Sequence, residues 1–202
     1  MSLVRAAIGV GGLALAATLA LVARSMRPRD RLPVLGTVPG FHLLDERGTA
    51  FTDGSMRGHI SVVDFIFTRC ASSCPHLTAR MADLQSRLTP SASDVRLVSF
   101  SVDPENDTPQ VLLKYAADAH ADAARWSFVT GGVDDVEKAV VVGFKMSAAK
   151  IAKGANDYDV VHGDWFVLVD RKGTIRGYYP TGTDAEFAAL FEDVRRLEKE
   201  RA

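Results

Sequence analysis

Residues 60–88 read ISVVDFIFTRCASSCPHLTARMADLQSRL, and this stretch decides the fold. Its first eight residues are mostly β-branched or aromatic, which predicts a central strand covered on both faces. After Pro75, apolar residues recur at helical spacing, at Leu77, Met81, Leu84 and Leu88. Proline is tolerated at the first helical position, so we expect the helix to begin there with Cys74 as its N-cap. Cys70 and Cys74 therefore lie at a strand-to-helix corner.

Strand and helix patterns alternate along the chain from about residue 40. A hairpin is expected over 40–52, and the remaining strands and helices follow it in the order βα, βα, βα, ββα. The further strands are predicted over 94–102, 126–131, 160–170 and 174–180, and the helices over 108–121, 134–144 and 183–202. This order predicts an α/β, thioredoxin-like fold, in which helices flank a central mixed β-sheet.

The composition restricts the function classes. Two cysteines in 202 residues, 47% of them hydrophobic, are too few for a disulfide framework in a chain that can bury its own core. Their chemistry is therefore of more interest than their bonding. Lys and Arg number 24 against 25 Asp and Glu, for a net charge of −1, and the core has no basic run. These charges exclude a nucleic-acid-binding surface.

The N-terminus differs from the rest of the chain. Residues 6–23 form an apolar run about as long as a bilayer crossing of ~17 to 25 residues. We predict a transmembrane anchor over 1–24, with a cleaved signal sequence as the alternative, a tether over 25–39 and the folded domain over 40–202. The charges around the run favour a cytoplasmic domain, because four arginines follow it, at Arg24, Arg27, Arg29 and Arg31.

The corner favours reactive thiols over an inert buried pair. Helix N-termini carry N–H donors and partial positive charge, so we expect Cys74 to have a lowered pKa and to form a thiolate. One additional residue separates this Cys-x-x-x-Cys from the Cys-x-x-Cys of disulfide exchange. The pair can still close a redox disulfide, or its two sulfurs can converge on a soft ion such as Cu(I), with zinc as competitor. A Cu(I) site would need a histidine as well.

The residues alone leave two candidates for that histidine. His76 follows Cys74 by two residues, and His162 lies 88 residues beyond Cys74, at the start of the strand predicted over 160–170. The other histidines have ordinary explanations as surface or core residues, at His42, His59 and His120.

Three motifs together resemble the Sco/SenC family of membrane-anchored copper proteins. They are FIFTRCASSCPHLTARMADLQ, SFSVDPENDTPQVLLKYA, and a late histidine paired with FVLVDRKGTIRGYY; the resemblance covers roughly residues 37–195. It implies a thioredoxin-like fold on one N-terminal transmembrane helix. It also implies one copper ion, Cu(I) or Cu(II), held by Cys70, Cys74 and His162. Ala71 is a departure, because many members have proline directly after the first cysteine.

The resemblance further implies a function in assembling the dinuclear copper A centre in subunit II of cytochrome c oxidase. The expected partners are that subunit, a periplasmic copper donor and, through the N-terminal helix, the inner membrane. Because a disulfide between the cysteines would abolish copper binding, a thioredoxin-like reductant is expected as well. The domain would face the periplasm, or the mitochondrial intermembrane space. A membrane-anchored thiol–disulfide oxidoreductase is the alternative, and a redox or copper sensor is a third hypothesis.

Three other residues have structural interpretations. Asp103, in the loop after the second strand of the core, is expected to shape the turn before Pro104 and the Thr108 helix cap, with partner contact as a lesser role. Trp126 and Trp165 are expected at the core or its rim.

Overall fold

The computed structural model describes residues 31–70, 73–88, 94–146, 148–154, 157–162 and 164–200; for 148–154 and 157–162 the description is of the backbone. The sequence interpretation of 1–24 as an anchor lies outside these residues. No helix among the described residues is long and apolar enough to span a bilayer. The chain divides into two units, Met1–Leu32 and Pro33–Ala202, and the fold below is that of the second.

The described residues of this unit form ten strands and five α-helices. The strands are β1 Gly36–Thr37, β2 His42–Asp45, β3 Ala50–Thr52, β4 Ile60–Ile66, β5 Val95–Ser101, β6 Trp126–Thr130, β7 Ala148–Gly154, β8 Asp157–His162, β9 Trp165–Val169 and β10 Thr174–Pro180. The helices are α1 Asp53–Met56, α2 Cys74–Arg87, α3 Pro109–Asp118, α4 Val133–Glu137 and α5 Asp184–Lys199. Residues Lys138–Gly143 form a π-helical segment directly after α4.

Eight strands form one mixed sheet in the order β1-β10-β9-β4-β5-β6-β2-β3, so the predicted α/β class with a mixed central sheet is confirmed. β4 pairs in parallel with β5, and β5 in parallel with β6, while the other pairs are antiparallel. All seven residues of β4 are buried, as its β-branched and aromatic composition predicts. Because β4 and β5 are parallel neighbours, their carboxyl ends lie at the same edge of the sheet, and the cysteine corner is at that edge.

Several local predictions are confirmed. β2 and β3 form the expected hairpin, in which Gly48 has a φ of 78° at the turn. α3 is capped by Thr108, whose side chain accepts a hydrogen bond from Val111 N–H. The amphipathic C-terminal helix is α5, which begins at a capping box formed by Thr183 and Glu186.

Three predictions need correction. The N-cap of α2 is Ser73, and Cys74 is the first helical residue. The helix predicted over 134–144 is α-helical only to Glu137 and continues as the π-helical segment. The strand predicted over 160–170 is two strands, because β8 pairs with β7 in a separate two-stranded sheet and β9 joins the main sheet. His162 is thus the last residue of β8 and does not begin β9.

Candidate metal centre

The two cysteines lie on either side of the corner between β4 and α2. Cys70 belongs to the irregular segment after β4 and is partly exposed, whereas Cys74 begins α2 and is 1% exposed. Neither cysteine forms a disulfide. The backbone N–H of Cys74 donates to Sγ of Cys70 at 3.4 Å, so the helix N-terminus does point a donor at a cysteine sulfur. That sulfur belongs to Cys70 and not to the helix residue itself.

The expectation of a lowered pKa for Cys74 is wrong. Burial raises the pKa of this thiol far above its ordinary value, and the smaller, opposite effect of a backbone hydrogen bond from Phe67 does not reverse it. Removing water destabilises a thiolate more than the helix terminus stabilises it at this position. Cys74 is consequently a neutral thiol near pH 7, and a metal that binds it must displace a proton.

Two buried carboxylates hold the residues just before Cys70. Asp107 accepts hydrogen bonds from the backbone N–H and the hydroxyl of Thr68. Asp103 forms an ion pair with Arg69 at 3.0 Å. The expected turn role of Asp103 is also seen, because its carbonyl accepts from Asn106 N–H and Asp107 N–H. We did not predict the contacts to residues 68 and 69, although the adjacent carboxyl ends of two parallel strands were a signal for them.

The two candidate histidines have different places. His76, on the first turn of α2, has its Nε2 at 3.3 Å from the carbonyl oxygen of Thr181. His162 ends β8, where its backbone pairs with Ala148, and its side chain is outside the description. Among the residues whose side chains are described, no three His, Cys, Asp or Glu groups lie close enough together to hold a metal. The ligand set including His162 remains a prediction.

The other three histidines lie elsewhere. His42 lines two surface pockets of 410 and 350 Å³, neither of which is lined by a cysteine. His59 precedes β4, and burial lowers its pKa. His120 has a left-handed backbone conformation after α3.

The strands and helices around the corner carry several polar and aromatic side chains. Asp64, in the middle of β4, is fully buried beside Ser99 of β5. Trp126 is buried, as expected, and donates from Nε1 to the Ser99 hydroxyl at 2.9 Å. Tyr115 of α3 is hydrogen-bonded to Thr78 of α2 at 2.7 Å, and burial raises its pKa to about 12. Trp165, at the start of β9, lies at the rim with 36% of its surface exposed.

The sequence and the fold of this chain are similar to those of known proteins. A model of the SCO1/SenC family matches residues 33–197. The SCO1 protein homolog of Bacillus subtilis is 34% identical over 164 residues, which cover 81% of this chain and 83% of the relative. The solved structure of BsSco, a member of the Sco family of cytochrome c oxidase assembly proteins in which a disulfide switch was identified, has a TM-score of 0.72. It is 32% identical, over 86% of this chain and 100% of that one.

A copper-bound relative is also similar. ScoI of Bradyrhizobium japonicum, solved with copper bound, has a TM-score of 0.69 and 26% identity, over 80% of this chain and 99% of that one. The likeness therefore extends to a protein that holds copper.

Proposed function

Because the chain belongs to the SCO1/SenC family, we propose that it is a copper metallochaperone that delivers copper to, or helps to assemble, the dinuclear copper A centre of cytochrome c oxidase. The observation that carries the proposal is the corner itself, where Cys74 N–H contacts Cys70 Sγ at 3.4 Å. Two thiols so close offer soft donors to a soft ion, and Cu(I) prefers such ligands. His162 is the proposed third ligand.

The unequal exposure of the cysteines supports transfer by ligand exchange. Cys70 is partly exposed and Cys74 is buried, so an incoming thiol reaches the bond to Cys70 first. Displacement of Cys70 would open the site, and Cys74 and His162 would then be displaced in turn by ligands of the acceptor. Subunit II of the oxidase would be the acceptor, a periplasmic copper donor would load the site, and a thioredoxin-like reductant would keep both sulfurs reduced.

The proposed location follows from the same family membership. Residues 1–24 would anchor the chain in the inner membrane, with the domain in the periplasm or in the mitochondrial intermembrane space. The arginines that follow the apolar run favour the opposite orientation, but large translocated domains override that bias. Fusion of a reporter enzyme that is active only in the periplasm to the C-terminus tests the orientation, and a fusion protein that is expressed but inactive would overturn it.

Copper stoichiometry tests the function. Under anaerobic conditions the reduced chain is expected to bind one Cu(I). Cys70→Ser and Cys74→Ser should abolish tight binding, and His162→Ala should weaken it, whereas His76→Ala serves as the matched control and should bind like wild type. Unchanged copper retention in His162→Ala would overturn the ligand assignment, and no binding by the wild type would overturn the function.

The pH dependence provides a further check. Since Cys74 is a neutral thiol, copper binding releases its proton, and the apparent affinity should rise with pH by about tenfold per pH unit for each proton displaced. A competition titration against a Cu(I) chelator at pH 6, 7 and 8 measures this slope, corrected for the chelator's own protonation. A flat profile would contradict protonation of Cys74 before binding.

A second candidate function is supported by the disulfide switch identified in BsSco and by the proximity of the two thiols. We propose as the alternative that the chain is a thiol–disulfide oxidoreductase that reduces the cysteines of an oxidase subunit or another cuproprotein. This function predicts reduction of a peptide disulfide that requires both Cys70 and Cys74 but is unaffected by His162→Ala.

A further inference from the structure

Residues 67–70, which follow β4, carry one of the two sulfurs and belong to neither a strand nor a helix. Cys74 is fixed by the first turn of α2 and by burial. Cys70 belongs to neither a strand nor a helix, and its backbone N–H bonds to the carbonyl of Phe67 at 3.1 Å. The position of the Cys70 sulfur therefore depends on what holds residues 67–69.

Asp107 holds Thr68. It accepts the backbone N–H of Thr68 at 3.1 Å and its hydroxyl at 2.5 Å, and it accepts the Ser101 hydroxyl at 2.6 Å. The Asp107 side chain is fully buried, and buried charge-assisted hydrogen bonds are stronger than neutral ones. Three donors on one carboxylate fix the backbone two residues before Cys70.

Asp103 holds Arg69 in a similar way. Its carboxylate is fully buried, accepts Arg69 Nη2 at 3.0 Å, and is also bonded by the amide of Asn106. Its backbone N–H donates to the Ser101 hydroxyl at 3.1 Å. Because the Ser101 hydroxyl also donates to Asp107, the two carboxylates belong to one hydrogen-bonded unit at the carboxyl end of β5.

We propose that Asp107 and Asp103 are positioning residues that hold Thr68 and Arg69, and so fix the sulfur of Cys70 relative to Cys74. Two sulfurs preorganised in this way bind an ion without first ordering the segment, so the unit raises the affinity of the pair for a thiophilic metal. The positioning itself rests on the hydrogen bonds to Thr68 and the ion pair with Arg69; its consequence for copper rests on the function proposed above.

Asp107→Ala in the full chain is the main test variant. Asp107→Asn, which keeps one acceptor oxygen, is the conservative variant. Asp170→Ala is the matched control, because Asp170 also accepts two backbone N–H groups and an arginine, but at the β9–β10 turn. That turn lies at the other end of β4, where Val169 pairs with Ser61.

Amide hydrogen exchange of the metal-free chain provides the first readout. Asp107→Ala should speed exchange at Thr68, Cys70 and Cys74 by tenfold or more relative to the Leu97 amide in β5, which reports global opening. Asp107→Asn should give an intermediate change, and Asp170→Ala none at these amides. Exchange at Cys70 and Cys74 that follows Leu97 in every variant would overturn the positioning role.

Cu(I) competition against a chromogenic chelator provides the second readout. Asp107→Ala should lose at least tenfold in affinity, while Asp170→Ala should stay within about twofold of wild type. If Asp107→Ala binds Cu(I) like wild type although its segment exchanges faster, the affinity claim is wrong. If the wild type binds no Cu(I), the proposed function fails instead, and the exchange data still decide whether these carboxylates position Cys70.

Discussion

Asp64 gives the chain a specific pH dependence of stability. The residue is fully buried in β4, and neither of its carboxyl oxygens has a hydrogen-bond partner within normal geometry among the described residues. Burial raises its pKa from an ordinary 3.8 to about 7, with the Ser99 hydroxyl opposing part of the rise. The folded chain thus binds this proton more tightly than the unfolded chain does.

The sign and size of this pH dependence follow from the linkage between proton binding and folding. A raised pKa in the folded state stabilises the fold below about pH 4, and this stabilisation is lost as the pH rises toward 7 and above. A difference of about three pH units, at ~1.4 kcal/mol each, corresponds to about 4 kcal/mol in total. About 2.5 kcal/mol of it is lost between pH 5 and pH 8. Asp64→Asn has nearly the same shape and no charge, so it should avoid this loss.

Urea denaturation at pH 5 and pH 8 measures the effect. The free energy of unfolding of Asp64→Asn minus that of wild type should increase by about 2.5 kcal/mol between the two pH values. Other titrating groups cancel in this difference. Ser61→Ala is the matched control, because the buried Ser61 hydroxyl in the same strand also has no described partner but does not titrate. Parallel pH profiles for wild type and Asp64→Asn would refute the reasoning.

Two further predictions concern stability. A Cβ on Gly143 would overlap the ring of Pro39, so Gly143→Ala should destabilise the fold by ~1 to 3 kcal/mol. Gly40→Ala, whose Cβ would meet only Asp53 Oδ1 at 3.8 Å, should change stability by less than ~0.5 kcal/mol; equal effects in urea denaturation would contradict this contact. Thr183→Ala removes the cap of α5 and should lower the free energy of unfolding by ~1 kcal/mol. Thr183→Ser keeps a hydroxyl and should retain most of this stability. A Thr183→Ala variant as stable as wild type would show that the cap contributes nothing.

The core of the fold could be predicted because its local signals agree with its tertiary environment. The apolar run of β4 is buried throughout, and Thr108 caps α3 as expected. β7 was missed because Ala148–Gly154 reads AAKIAKG, which has few β-branched or aromatic residues. The strand-like pattern runs without a break through VVHGDWFVLVD, so the boundary between β8 and β9 could not be predicted from it.

The site was only partly predictable, since desolvation is a tertiary effect. The spacing of Cys70 and Cys74 places both at the corner, and the N–H of the helix terminus is visible from sequence. How deeply Cys74 would be buried was not visible, and this burial reverses its expected pKa. The contacts of Asp107 and Asp103 with residues 68 and 69 depend on strand adjacency, which a turn motif alone does not reveal.

The order of strands has a consequence for how copies of the chain meet. The outermost strands of the eight-stranded sheet are β1 and β3, which are only two and three residues long. A short edge offers few unpaired backbone groups to a neighbouring molecule, so intermolecular sheet extension is disfavoured. The long strands β4 and β5 lie in the interior of this sheet, and this arrangement protects the eight-stranded sheet against edge-to-edge association at high local concentration.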